Sequence, residues 1–556
     1  MRSPYPFLII LFAFLLPLHS VAHSGDINLP PGFKATVIAD NIGMARQLAI
    51  RENGDIYVGL LNDKDLNYLV AMRDTDNDGT MDVIKYFGEV GSLVKSIKIY
   101  DDYLYVGAST QVVRYKLHPT ELLPKELYEV IVTGFPPPRS HPSKNIAFDN
   151  EGNLYVSAGA PSNSCQEDDR AVGSPGKSPC DELEWGAGIW KFDANTLNQM
   201  QLVDGELVAT GVRNAVAIDF DLVKNQLYTL SNGRDGLHQL WGSLYNARDS
   251  AENPSEQFQM IQDGDDYGWP YAYWDEEEDG YLINPEYGGD GKIRAKEGDY
   301  TKPIYAFPGH WAPTGLKFYH DEQFPEKYRG GAFIAFHGSW NRAPLPQQGY
   351  NVVYVPFDGK LPSGPHEEFV NGFSGVTMLM TPDSAKYRPT GLEVGPDGSL
   401  YITEDVVGRI WKVEYTGDTS QPVMDLASTS LSSTPKTVLA KRKNVANYDA
   451  EGQAIYNQYC LACHQMDGSG VPNVQPSLIN STRLTEDDDF LIKLTLLGSE
   501  WMENRKYQNV MTKFSYLSNQ DISAVLNYSK VRFTNSDATI SAEGVAEARD
   551  SLKDTQ

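Results

Sequence analysis

Cys460, Cys463 and His464, in Cys460-Leu461-Ala462-Cys463-His464, have the types and spacing for one piece of chemistry. Two thiols separated by two residues can form thioethers to the two vinyl groups of one haem, and the residue that follows then offers an imidazole to the iron. A redox Cys-x-x-Cys would want a βαβ pattern around it, and a zinc site a second Cys/His pair at ligand spacing; the sequence has neither. The C-terminal part is therefore expected to carry covalent haem c. The residues around the motif suit that role. Residues 450–456 read as a short amphipathic helix leading into it, 468–472 as a loop, and Pro476 can offer a backbone carbonyl to fix the axial histidine. Ser518 reads as the cap of a last helix with Ile522, Val525, Leu526 and Tyr528 at helical spacing.

These features resemble a class I cytochrome c domain over about residues 446–533. The sixth iron ligand should then be a thioether. Met466 is too close to the attachment loop, and the family pattern favours Met511 over Met502; its plain alternative is a core methionine.

The elements that position this chemistry belong to a 556-residue chain, long enough for two or three domains. Residues 1–22 pair Arg2 with an apolar run from Phe7 to Leu16 and end in Ser20-Val21-Ala22, a secretory signal pattern too short to span a bilayer. Export to the periplasm is expected, and no later stretch has the length and apolarity of a membrane span. Of four cysteines, Cys165 and Cys180 remain, bracketing a Ser/Gly/Pro/Asp loop; in an oxidising compartment a disulfide is expected. A formal net charge of −27 disfavours nucleic acid or an anionic membrane as partner.

Residues 27–415 repeat one phrase, a Gly/Asn/Asp turn followed by a short alternating strand that usually contains Tyr: 53–58, 102–106, 151–156, 225–228, 331–334 and 397–402. Strands at this spacing with little helical periodicity predict an all-β six-bladed propeller with a smaller all-α domain after it. Residues 416–445, rich in Ser and Thr near their start, read as a flexible linker, and 534–556 as a poorly ordered polar tail.

Gly211-Val212-Arg213-Asn214, Asn232-Gly233-Arg234-Asp235, Tyr267-Gly268-Trp269-Pro270, Pro313-Thr314-Gly315-Leu316 and Phe336-His337-Gly338-Ser339-Trp340-Asn341-Arg342 together resemble the quinoprotein sorbosone/soluble glucose dehydrogenase family. The resemblance implies a propeller that holds pyrroloquinoline quinone (PQQ) and Ca²⁺ at the mouth of its channel and oxidises sugars or sugar-derived aldehydes. It implies Arg213, Asn214, Lys386 and Arg388 as PQQ-binding residues, with Gln47 at the quinone rim. PQQ carries three carboxylates, which guanidinium groups recognise in bidentate fashion. His141 matches the catalytic base, although Ser140 stands where the family has an aspartate before it. The carbonyls of Gly233 and Arg234 and the side chain of Gln257 match the Ca²⁺ ligands, Gln257 replacing a carboxylate. Separately, Asp74, Asp76, Asp78 and Asp82 alternate around Gly79 as in an EF-hand-like loop; Lys85 at the twelfth position excludes a true EF-hand, and an acidic hairpin turn is the alternative.

The sequence thus predicts a quinohaemoprotein that passes electrons from PQQ to its own haem c and on to a cytochrome or respiratory acceptor. Two rivals stand beside it: a Ca²⁺-dependent lactonase-type hydrolase, and a sugar-binding or sensory propeller without PQQ.

Overall fold

The computed structural model describes residues 27–417, apart from 137–139, 143 and 377, and in the C-terminal part 452, 455–456, 459–460, 464, 468, 476–479, 481, 483–486, 488–499, 511, 513–515, 517–534, 536 and 539–553. The expected signal peptide, Cys463, Met502 and nearly all of the expected linker lie outside these residues.

Six sheets, antiparallel apart from one short parallel pairing at the edge of the second and of the third, follow one another along the N-terminal part as the blades of a propeller. Their innermost strands are Ala45–Ile50, Val94–Tyr100, Ile146–Phe148, Ala215–Asp221, Pro313–Phe318 and Pro389–Val394. The second strands are Ile56–Lys64, Tyr103–Ala108, Asn153–Ala158, Gln226–Ser231, Ala332–Phe336 and Leu400–Glu404. Each repeated phrase of the sequence falls on one of these second strands. The tyrosines explain why: Tyr57, Tyr105 and Tyr228 bury their rings completely, and their hydroxyls donate to the carbonyls of Leu122, Ala194 and Lys360 in neighbouring loops. A buried aromatic body with a satisfied polar tip ties one strand to the layer beside it.

The ring closes by pairing the N-terminal strand Phe33–Ala39 with Ile410–Tyr415, the last strand of the sixth blade. Phe33 secures the seam, its ring lying 4.8–5.5 Å from those of Phe324, Tyr328, Phe369 and Tyr415. Full burial of such a side chain is worth about 1.5–3 kcal/mol, and the half-buried Phe33 gains part of it.

Inside the channel the inner strands of blades two, four, five and six meet through charge. Lys98 bridges Asp219 (3.3 Å) and Glu393 (3.4 Å), and Lys317 pairs with Glu393 at 2.5 Å. Five of the six inner strands shift register near their first residues, between Ala45 and Leu48, Val94 and Ser96, Ala215 and Ala217, Pro313 and Gly315, and Pro389 and Leu392. Such bulges re-aim side chains, and here they do so at one end of the channel.

The C-terminal part is helical: Arg483–Glu486, Asp488–Leu497, Asn519–Thr534 and Ala542–Lys553 are described. Ser518 caps the third of these by a reciprocal bond with Asp521, as expected. The tail departs from expectation. Residues 542–553 form a helix, Ile540 and Val545 are buried in the same core as Ile522, Val525 and Tyr456, and Asn527 and Ser523 donate to the Ile540 carbonyl. Val545, Ala548 and Leu552 supply an apolar stripe at helical spacing that the polar composition hides.

Candidate active site

One end of the propeller collects the N-terminal ends of the inner strands together with the loops that join second to third strands. A cavity of about 170 Å³ opens there, lined by His141, Arg213, Asn214, Asn232, Gly233, Asp235, Glu256, His310, Ala312, Ser339 and Asn341.

His141 precedes the inner strand of blade three. Its Nδ1 lies 2.6 Å from the Ala160 carbonyl. A carbonyl only accepts, so Nδ1 carries the proton and Nε2 keeps its lone pair. Nε2 has no hydrogen-bond partner among the described residues. Burial, and then the Arg213 charge, pull the imidazole down to about 3, so it is neutral at ordinary pH. Gly159 makes room for this ring, since a Cβ there would come within 2.7 Å of the His141 Cβ. The carboxylate that Ser140 replaces is thus supplanted by a main-chain oxygen, which residue types cannot reveal.

Arg213 is held by Asn163 and Asp235. Its Nε donates to the Asn163 carbonyl (3.0 Å), Nη2 to Asn163 Oδ1 (2.9 Å) and Asp235 Oδ2 (3.0 Å), and Nη1 to the Gly233 carbonyl (2.6 Å). Asn163 is fully buried; its amide also donates to the Asp235 carbonyl and accepts from the Asp235 N–H. Burial would push the Asp235 carboxyl up, but Arg213, His310 and Arg170 together hold it far below the usual carboxylate range. Asn163 lies two residues before Cys165, whose disulfide with Cys180 forms as expected.

The remaining predicted residues are placed as follows. Asn214 lines the cavity. Gln47 donates to the Thr314 carbonyl across the first and fifth blades. Arg388 donates to the carbonyls of His337 (3.2 Å) and Gly338 (2.7 Å), and the Lys386 ammonium lies 5.3 Å from the Tyr387 ring centre. These three belong to the mouth but not to the cavity lining. Beside them, His337 pairs with Asp405 (2.9 Å), which also accepts from Arg46 (2.7 Å).

Gln257 requires correction. It faces away from the cavity, accepting from the Tyr281 hydroxyl and Gln259. Successive strand residues point to opposite faces, and it is Glu256 that enters the cavity, accepting N–H bonds from Gly233 and Ala312 at 3.0 Å each. Burial pushes the Glu256 carboxyl up to about 7 against those two bonds. With the Gly233 carbonyl and Asp235 it offers hard oxygens of the kind Ca²⁺ takes, and a cation would restore the charge that burial disfavours. The Arg234 side chain is engaged elsewhere, pairing with Glu286 at 2.8 Å in a buried contact.

The acidic motif lies at the opposite end, on a loop from third to fourth strand of the first blade. Asp74, Asp76 and Asp78 bring carboxylate oxygens within 4.8 Å of one another. Asp82 is not among them: it accepts instead from the Thr75 hydroxyl and N–H.

In the helical part His464 Nδ1 is 3.0 Å from the Pro476 carbonyl, which leaves Nε2 for a metal. Cys460 and Met511 pack against one core with Tyr459 and Phe490. The Met511 N–H donates to Ser499 Oγ (2.8 Å), and the Ser499 N–H donates to the Met511 carbonyl (2.9 Å).

A TrAA12-like family model matches residues 27–416, and a cytochrome c model residues 450–530. The chain belongs to the TrAA12-like family. Its pairing with a cytochrome c domain is that of a quinohaemoprotein oxidoreductase, the class expected from the sequence. Among curated relatives, a pyrroloquinoline quinone-dependent pyranose dehydrogenase of Coprinopsis cinerea is 25% identical over 287 residues, 45% of this chain and 38% of that enzyme. The holo PQQ domain of pyranose dehydrogenase from Coprinopsis cinerea shares the fold of the TrAA12-like domain, with a TM-score of 0.56 at 18% identity over 71% of this chain and 98% of that one. So does a calcium structure of a family AA12 enzyme from Trichoderma reesei, with a TM-score of 0.57 at 16% identity over the same shares.

Proposed function

We propose that the chain is a periplasmic PQQ- and Ca²⁺-dependent dehydrogenase that oxidises a sugar or sugar-derived aldehyde and passes the electrons to its own haem c, and from there to a downstream acceptor. The observation that carries this is His141: a neutral imidazole, its tautomer fixed by Ala160, with a free lone pair facing a cavity that also holds Arg213, Asn214 and Glu256.

When bound, PQQ supplies a two-electron acceptor. Its carboxylates fit a mouth where Arg388 donates, among the described residues, to two neutral carbonyls and where Arg213 and Asn214 line the cavity. Glu256, Asp235 and the Gly233 carbonyl would hold the Ca²⁺. His141 Nε2 takes the proton of the substrate hydroxyl, while the Ala160 carbonyl keeps the ring from turning and stabilises the imidazolium that forms. Arg213 is the cation that weakens this base; an anion seated on Arg213 offsets that repulsion and strengthens it.

Export is supported by the Cys165–Cys180 disulfide, a feature of oxidising compartments, and by residues 1–22. A hydrolase reading gives the cytochrome domain no task. The test is optical. Purified chain stripped of PQQ should show no sugar-dependent reduction of its haem, and added PQQ with Ca²⁺ should restore it; sugar-independent or PQQ-independent reduction would refute the proposal.

A further inference from the structure

Lys95 and Lys98 lie three residues apart on the inner strand of the second blade, yet their surroundings are opposite. Lys98 reaches two carboxylates, Asp219 and Glu393. Lys95 sits on the register shift between Val94 and Ser96 at the mouth end and has no hydrogen bond or ion pair among the described residues. The charged groups around it are Arg46, Asp405 and Lys144. None relieves it. Asp405, the one anion, is already bonded to Arg46 and His337, and Lys144 is a second cation whose ammonium points to the Pro142 carbonyl at 3.4 Å.

A half-buried ammonium without a counter-charge is costly. It either loses its proton or meets an anion from outside. Burial, reinforced by Arg46 and Lys144, pulls Lys95 down to about 7, so at neutral pH the charged state needs little help. The mouth is thus provided with a cation for which the described residues supply no partner.

We propose that Lys95 is a carboxylate-binding residue of this mouth, taking an acid group of the cofactor or, if the cofactor's carboxylates are met elsewhere, that of an acidic sugar. The proposal rests on the PQQ-dependent reading of the site. The carboxylate holds Lys95 charged, so binding is tight below pH 7 and weakens as pH rises above it.

The test uses the full chain with haem in place, freed of PQQ, comparing wild type with Lys95→Met and Lys95→Arg. PQQ uptake is titrated by quenching of tryptophan fluorescence between pH 6 and 9, and haem reduction is then followed with neutral sugars and uronic acids. Lys95→Met should weaken PQQ binding by about ten- to a hundredfold, the scale of one charge-assisted hydrogen bond, and should flatten its pH dependence, while Lys95→Arg stays within a few fold of wild type. Unchanged PQQ binding together with a loss of preference for uronic over neutral sugars would assign the carboxylate to the substrate. If Lys95→Met alters neither, the proposal is overturned while the PQQ reading stands; a wild-type chain that takes up no PQQ overturns both. Should Lys95→Met lose its folded circular dichroism spectrum, Lys95→Gln is judged by the same measurements.

Discussion

Asn163→Ala is the sharpest test of how the cavity is built, because Asn163 touches the two charged groups at its base without being charged itself. The side chain makes three bonds: it accepts from Arg213 Nη2 and from the Asp235 N–H, and it donates to the Asp235 carbonyl. Truncation leaves three buried polar groups short of a partner, at about 1–3 kcal/mol each. Arg213 keeps its bonds to Asp235 Oδ2 and to the Gly233 and Asn163 carbonyls, so the sum falls toward the lower end, about 3 kcal/mol. Expressed as affinity that is a ceiling of about two decades. PQQ binding to the purified full chain should therefore weaken by about ten- to a hundredfold, with the haem spectrum unchanged. Asn163→Asp, which keeps both acceptor bonds but sets a carboxylate beside Asp235, should fall between. PQQ affinity within twofold of wild type in Asn163→Ala would show that Arg213 and Asp235 need no such support.

His141→Ala should cut turnover by about two to four decades while PQQ binding stays within a few fold; near-normal turnover would remove His141 from the proton path. Met511→Ala should retain covalent haem but lose the absorption band of Met-ligated iron, and Ser499→Ala, which removes the hydroxyl bonded to the Met511 N–H, should shift the haem potential with the band kept; a band that survives Met511→Ala would move the ligand to Met502. Acid should unfold the propeller through its channel charges. Burial raises the Glu393 carboxyl, but Lys317 and Lys98 outweigh it and hold the group at about 2, against 4.5 unfolded. Its contribution, on the order of 3 kcal/mol, is therefore complete above pH 4.5 and lost as pH falls toward 2. Glu393→Gln should flatten that limb of a stability-against-pH curve measured by denaturant titration, and an unchanged limb would refute the assignment.

The propeller was legible because its repeat is dictated by packing. A second strand buries its ring between sheets and satisfies the hydroxyl in a loop, as Tyr57, Tyr105 and Tyr228 do, and that packing recurs as turn and alternation in every blade and as tyrosine in five of the six, the fifth carrying Phe333 instead. The haem pentapeptide was legible for the same kind of reason: its spacing is set by the ligand. What stayed hidden depends on direction rather than type. Glu256 and Gln257 differ by one residue, and one residue on a strand exchanges cavity for interior. Lys95 and Lys98 are identical in type and close in sequence, yet only the three-dimensional register decides that one pairs with two carboxylates and the other makes no ion pair among the described residues. The orienting partner of His141 is a carbonyl, which every residue owns, so no substitution pattern could advertise it. The C-terminal helix was missed through composition: its polar face outnumbers the stripe of Val545, Ala548 and Leu552 that packs on the core.

The charge balance of the mouth ties these particulars together. The chain as a whole carries −27, yet at this one end of the propeller Arg46, Lys95, Lys144, Arg213 and Arg388 gather around three acidic groups, Asp405, Asp235 and Glu256, the first two of which already serve several donors. Elsewhere in the channel the same protein pairs its lysines closely, as Lys98 and Lys317 show with Glu393 and Asp219. With these cations outnumbering the acids around them, the mouth is a low-dielectric, positively charged recess inside the negative field of an acidic protein. Because the field of the surrounding surface charge is screened over about 10 Å in 0.1 M salt, attraction acts only once a ligand is at the opening, and it favours a compact polyanion over a long polyanionic chain that must also lie on the negative surface. A small tricarboxylate cofactor meets that requirement; nucleic acid does not.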